Sequence, residues 1–184
     1  MKTITVKALM IPLEDYATVP QDTNLFEAVL ALESAQQAVD PAKHKHRAIL
    51  VLDENNQVVG KLAMLDILKA LEPKYAELDA GGVLSREGYS PDYVKSMLQD
   101  HFLWSGTLEF ICSRGSGVKV RDIMQRLDEC TYIEDSATLD EAIHQLVVCR
   151  YQSLLVVKKG KVVGILRLSD VFYQVCEKIK TCGT

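Results

Sequence analysis

The sequence predicts an α/β protein built from two copies of one β-α-β-β-α unit, with a helical insertion between them. Three observations carry that prediction. The chain repeats itself, each copy shows the same succession of strand-type and helix-type apolar patterns, and the segment joining the copies is too long for a simple loop. At 184 residues the chain suits one compact domain or two small ones that share a core.

The repeat is visible without gaps at a shift of 114 residues, where Val6-Lys7-Ala8-Leu9-Met10 lies over Val120-Arg121-Asp122-Ile123-Met124. Leu13 falls on Leu127, Val19 on Ile133, Leu25 on Leu139, Glu27 on Glu141 and Ala28 on Ala142. Farther on, Ile49-Leu50-Val51-Leu52 matches Leu154-Leu155-Val156-Val157, and Val58-Val59-Gly60 matches Val162-Val163-Gly164. Asp66 then matches Asp170.

Each copy opens its regular structure with a short strand segment, Tyr16 to Val19 or Thr131 to Ile133. Asp22-Thr23-Asn24 and Asp135-Ser136-Ala137-Thr138 follow, supplying side-chain oxygens that cap the free amides of a helix start. Leu25, Ala28, Val29 and Leu32 then recur at three- and four-residue spacing, as do Leu139, Ala142, Ile143 and Leu146. Each row predicts one apolar stripe that packs on a sheet. Ala48 to Leu52 and Val58 to Leu62 flank the turn-rich Asp53-Glu54-Asn55-Asn56-Gln57, and Leu154 to Val157 and Val162 to Leu166 flank Lys158-Lys159-Gly160-Lys161. Both pairs predict a buried hairpin. A last helix starts near Met64 or Leu168, with Asp66 or Asp170 in its first turn.

Residues 1–72 and 118–184 hold the two copies, and residues 73–117 connect them. The first part of the connection, through Gly81-Gly82 and Arg86-Glu87-Gly88, predicts a loop. Ser90-Pro91-Asp92 offers a cap followed by proline at the first helical position. Tyr93, Val94, Met97, Leu98 and Phe102 follow at helical spacing, so the apolar face of this helix is expected to cover the core or a subunit interface. Gly115 and Gly117 close the segment.

The element order, with Val-Val-Gly and the Asp beyond it, resembles the CBS motif of the cystathionine beta-synthase-type domain family. The resemblance covers about residues 5–71 and 118–180. It implies two pseudo-symmetric CBS motifs packed across their sheets as one Bateman module, a regulatory unit that binds an adenosine nucleotide and commonly forms a homodimer. In nucleotide-binding members the second hairpin strand leads into Gly-x-x-Thr/Ser-x-x-Asp. The Asp takes the ribose hydroxyls, since a carboxylate can accept both hydrogens of a vicinal diol, and a helix N-terminus favours phosphate.

Gly60 with Asp66 and Gly164 with Asp170 match this pattern, but Ala63 and Arg167 stand where it has a hydroxyl, and Ser169 adjoins Asp170. By resemblance, adenine lies against Thr18-Val19-Pro20 and Ala48-Ile49 in a first pocket, and against Tyr132-Ile133 and Gln152-Ser153-Leu154 in a second. Arg47 and the Lys43-to-His46 cluster belong to the first pocket. Arg167, with Tyr132 and Tyr151 as stacking faces, belongs to the second, where Arg167 either reads a phosphate or fills the pocket. AMP, ADP or ATP is favoured over S-adenosylmethionine as the regulatory ligand, with no cofactor required. Asp66 and Asp170 have a purely structural alternative as helix caps.

Net charge is −4 and the basic residues are scattered, which argues against a nucleic-acid partner. No signal-like or membrane-length apolar run occurs, so a cytoplasmic protein with no membrane partner is expected. His44 and His46 form an H-x-H pair without a carboxylate or thiol at a useful spacing, so no metal site is predicted. The five cysteines include no C-x-x-C, and Cys130 and Cys149 are expected to be buried reduced thiols. No Ser/His/Asp set, ligand cluster or Walker-type loop suggests an enzyme. Output therefore passes through a separate effector protein. The alternative is a dimerisation or protein-interaction module whose pockets are vestigial, a reading that the two missing hydroxyls favour.

Overall fold

A computed structural model describes residues 3–38, 45–80 and 89–182. In the first copy the elements are β1 (Ile11–Pro12), β2 (Thr18–Pro20), α1 (Leu25–Ala38), β3 (Ala48–Leu52), β4 (Val58–Ala63) and α2 (Met64–Leu71). The connection forms α3 (Lys74–Ala80), α4 (Pro91–Asp100) and α5 (Leu108–Gly117). The second copy forms α6 (Val120–Ile123), β5 (Gln125–Arg126), β6 (Tyr132–Glu134), α7 (Leu139–Val148), β7 (Ser153–Lys158), β8 (Lys161–Arg167) and α8 (Leu168–Cys182). The mixed α/β class and the repeated unit match the sequence expectation.

The helix starts follow from local chemistry. Asn24 Oδ1 accepts from the Glu27 amide at 2.8 Å while Glu27 reaches back to the Asn24 amide, and Glu141 accepts from the Thr138 amide at 2.7 Å. Leu25, Ala28 and Leu32 are buried in one core, and Leu139, Ala142 and Leu146 in the other; Val29, counted in the first stripe, faces outward.

Two four-stranded sheets run β2-β3-β4-β5 and β1-β8-β7-β6, so each takes one edge strand from the other copy. β1 pairs antiparallel with β8 (Ile11 opposite Ile165, Pro12 opposite Gly164), and β5 pairs with β4 (Gly60 opposite Arg126, Lys61 opposite Gln125). The residues before each edge strand cross as well. Val6 donates its amide to the Ala137 carbonyl and is fully buried with Leu139 and Ile133, whereas Val120 donates to the Thr23 carbonyl and is fully buried with Leu25 and Ile49. Each sequence copy is thus completed by the other's leader.

Helices cover the outer faces. The inner faces meet in a third cluster of Tyr16, Leu50, Leu155 and Ile165. In the connection, Ser90 Oγ accepts from the Tyr93 amide at 3.2 Å, as the cap prediction requires. The apolar face of α4 does not cover the sheet core. Met97 packs with Leu78 and Leu103 in a small satellite cluster, while Tyr93, Val94 and Leu98 stay exposed. Gly115 and Gly117 lie in the last turn of α5, which closes the connection. The loop predicted for the first part of the connection begins instead as helix α3 (Lys74–Ala80), and its stretch around Gly81-Gly82 and Arg86 to Gly88 falls outside the described residues.

Candidate functional site

Asp66 and Asp170 occupy the third residue of α2 and α8, each directly beyond the second hairpin strand. That position follows from the chain: the strand ends, the helix begins at once, and the carboxylate meets the free amides of the first turn. The partners of the two carboxylates differ.

Asp66 is buried. Its Oδ2 accepts from the Ala63 amide at 2.8 Å and its Oδ1 from Gln125 Nε2 at 3.1 Å. Gln125 arrives on the exchanged strand β5. Beside this carboxylate lies Lys61, a lysine only 6% exposed, whose ammonium donates to Ser153 Oγ at 3.2 Å and stands 5.5 Å from the centre of the Tyr151 ring. Burial pushes the Lys61 ammonium below its ordinary range, and Asp66 and Asp128 partly offset that. The Tyr151 hydroxyl donates to Asp128 at 2.5 Å and Thr131 Oγ1 donates at 2.8 Å, which holds the Asp128 carboxyl below its usual value.

Asp170 is held by charge. Arg167 Nε lies 2.5 Å from Oδ2 and its terminal nitrogen 2.7 Å from Oδ1, so the planar guanidinium covers both carboxylate oxygens. The two side chains are 11% and 18% exposed. Tyr16 and His46 of the first copy face this pair, packed edge to face at 4.4 Å between ring centres. Burial drives the Tyr16 hydroxyl up to about 12, with Arg167 pulling down and Asp170 pushing up. Burial and then Arg167 lower His46, whose Nδ1 is buried without a hydrogen-bond partner.

The remaining predicted residues fall into distinct positions. Thr18, Val19 and Pro20 form β2, but the Val19 side chain is in the helix-facing core, as are those of Ile49, Ile133 and Leu154. These four offer a ligand their backbone only. Ala48 is buried, Arg47 and Gln152 are exposed, and their carbonyls accept from the first amides of α2 and α8 (Met64 at 3.1 Å, Leu168 at 2.9 Å). Ala63 and Ser169 are half-buried beside the two Asp residues, and Tyr132 packs between the sheets. A groove of about 710 Å³ between β6 and α7 is lined by Tyr132, Ile133, Glu141, Gln145 and Cys149, away from Arg167 and Asp170.

Two placements differ from the sequence reading. His46, assigned to the first pocket, stands at Asp170, and Tyr151, assigned to the second, stands over Lys61. The cause is the face-to-face stacking of the sheets, which lays the entry to β3 against α8 and the entry to β7 against the first copy. Lys43 and His44 of the basic cluster lie outside the described residues. Sequence reasoning passed over Lys61, Gln125, Asp128 and Tyr16; a lone lysine inside the apolar run Val58 to Leu62 was the available signal for the first of them. Cys130 is exposed and Cys149 half-exposed, contrary to expectation, because the 3-10 turn before β6 and the end of α7 both face solvent.

The fold is a tandem α/β module of two stacked, strand-exchanging β-α-β-β-α units with an Asp at each second helix start. The family model of the CBS domain matches residues 6–73 and 120–177, and the chain belongs to the CBS domain family. No curated protein sequence matches the chain. Among solved structures it is similar to CBSX2 in complex with AMP (21% identity, TM-score 0.57, covering 96% of this chain and 98% of that one). CBSX2 from Arabidopsis thaliana is 20% identical with TM-score 0.59, covering 96% and 97%. A CBS domain-containing protein of unknown function from Bacillus anthracis is 20% identical with TM-score 0.61, covering 96% of each chain. At these identities the likeness establishes the fold.

Proposed function

We propose that this chain is a non-catalytic regulatory module that binds AMP, ADP or ATP and passes the signal to a separate effector protein in the cytoplasm. The observation that carries this reading is the Asp170 carboxylate in the first turn of α8, with an Arg guanidinium on it and an aromatic and a histidine from the other copy facing it. Such a constellation sets a diol acceptor beside a phosphate partner. CBSX2, which shares the fold, has been solved with AMP, and that adds support. Ligand binding then shifts the balance between two arrangements of the stacked sheets.

We further propose a homodimer. Met64, Leu65 and Leu68 on α2 and Leu168, Phe172 and Tyr173 on α8 are large apolar side chains on pseudo-equivalent helix faces, all 43% exposed or more.

A second reading is an interaction module with vestigial pockets. It draws on the fact that both carboxylates already hold internal partners, Asp66 through Ala63 and Gln125, and Asp170 through Arg167. Thermal unfolding against an adenine nucleotide series separates the two. A ligand at 100 times its Kd stabilises the native state by about 2.7 kcal/mol, a readily measured rise in Tm. A flat response at millimolar AMP, ADP and ATP, identical in Asp170→Ala, favours the vestigial reading.

A further inference from the structure

We propose that Lys61 is the phosphate-binding residue of the first pocket, where its ammonium takes the phosphate of a ribonucleotide whose ribose diol lies on Asp66. This rests on the nucleotide reading above and adds which side chain of that pocket recognises the ligand's charge.

Lys61 comes to its place by register. On β4 it pairs with Leu50 of β3 on one side and with Gln125 of the exchanged β5 on the other, and antiparallel partners share a face. That face is the one turned to the second sheet, since Leu50 is buried in the cluster between the sheets. Gln125 leads on to Asp66, its Nε2 lying 3.1 Å from Oδ1. From beside that carboxylate the Lys61 ammonium reaches across to Ser153 and Tyr151 of the second copy.

The repeat shows that the fold needs no cation here. Gly60 matches Gly164, so Lys61 stands where the second copy has Ile165, a fully buried apolar side chain of the inter-sheet cluster. Withdrawal from water disfavours the charge of a lysine in that position. An ammonium carries three donors. Among the described residues, its one hydrogen bond goes to the neutral Ser153 hydroxyl at 3.2 Å, and no carboxylate comes within ion-pair distance. Asp66 and Asp128 act on it from farther off. Donors are therefore left for an anion, and giving up the Ser153 contact strands no charge.

Gln125 and Asp128 are exposed, so this cluster opens at the surface. A ribose hydroxyl replaces the Gln125 amide on Asp66, neutral for neutral. The phosphate then meets a buried ammonium, where a charge-assisted hydrogen bond is strong. Adenosine makes the first exchange and lacks the second.

The test uses the full chain. Isothermal titration with AMP and adenosine is run on the wild type, Lys61→Met, Asp66→Asn and Asp170→Asn. The Lys61 Cε resonance of protein carrying carbon-labelled lysine, assigned by its loss in Lys61→Met, is followed by NMR with each ligand. The AMP site that disappears in Asp66→Asn is expected to weaken at least ~10-fold in Lys61→Met, the factor that one charge-assisted hydrogen bond supplies, while adenosine keeps its affinity. AMP should move the Lys61 resonance and adenosine should leave it in place. Lys61→Met is expected to fold as well as the wild type by circular dichroism, because an apolar side chain replaces a buried cation. If it does not fold, the resonance is assigned from Lys61→Arg and the NMR comparison decides alone. A resonance unmoved at saturating AMP, or moved equally by adenosine, overturns the inference and leaves the nucleotide reading intact. So does an AMP affinity unchanged in Lys61→Met, or AMP binding lost only in Asp170→Asn. Flat isotherms for both ligands in every variant overturn the nucleotide reading itself, and this inference with it.

Discussion

Gly60 and Gly164 match in the two copies because the same crossing chain passes over each. A Cβ at Gly164 would run into the Ile11 carbonyl oxygen and the Met10 sulfur; at Gly60 it would meet the Met124 side chain. The nearest obstacle is backbone at Gly164 and a flexible thioether at Gly60, where the Gln125 carbonyl oxygen stands farther off at 3.3 Å. Gly164→Ala is expected to cost about 1–3 kcal/mol, the range for overpacking, and Gly60→Ala less. Met124→Ala should relieve Gly60→Ala, while Met10→Ala leaves most of the Gly164→Ala penalty in place. Urea unfolding of the four single and paired variants checks the asymmetry. His46 makes a second residue-scale prediction. Its folded-state value is lowered from 6.5, so the unfolded chain binds the proton more readily and stability is lost as pH falls below about 6.5 toward the folded value. Arg167, Asp170 and Tyr16 are the titratable or charged groups facing it. Tm measured from pH 7.5 to 5 should decline for the wild type and decline less for His46→Phe. An unchanged slope in the variant assigns the decline to other groups.

At the scale of elements, the leaders decide how the repeat packs. Val6 shares a core with Leu139 and Ala142, not with Leu25 and Ala28 of its own copy. A double-mutant cycle of Val6→Ala with Leu139→Ala should therefore show coupling of about 0.5–2 kcal/mol, whereas Val6→Ala with Leu25→Ala should add within about 0.5 kcal/mol. The reverse result would contradict the exchange. The hairpins, both capped helices and the start of α4 were legible in the chain, since period-2 and period-3.6 apolar patterns and capping oxygens act locally. The exchange was not, because Ile11-Pro12 and Gln125-Arg126 are two-residue edge strands whose pairing is a long-range choice. The same limit explains the misplacement of His46 and Tyr151, for each precedes its own copy's strand and serves the other copy's pocket.

For the whole molecule, the exchange makes the two halves interdependent. Residues 1–72 alone lack Val120, Met124 and Gln125, which fill the first core, cover Gly60 and hold Asp66. This fragment should stay unfolded by circular dichroism and recover structure only when mixed with the remainder of the chain. The intact protein should unfold in one transition. If the proposed dimer forms through α2 and α8, Leu68→Asp and Phe172→Asp should each shift sedimentation toward the monomer with little loss of secondary structure. These exposed side chains contribute little to the monomer's own core.

The sequence by itself determined the repeat, the order and type of the elements, the family resemblance and the two carboxylates at equivalent helix starts. All of these follow from local spacing and from comparing the chain with itself. Only the tertiary structure decided which leader completes which sheet, which copy lends side chains to which pocket, and that Arg167 closes on Asp170 while Asp66 is held by neutral donors. Those outcomes depend on which of two near-identical surfaces meet when the sheets stack, and a repeated sequence offers both surfaces equally.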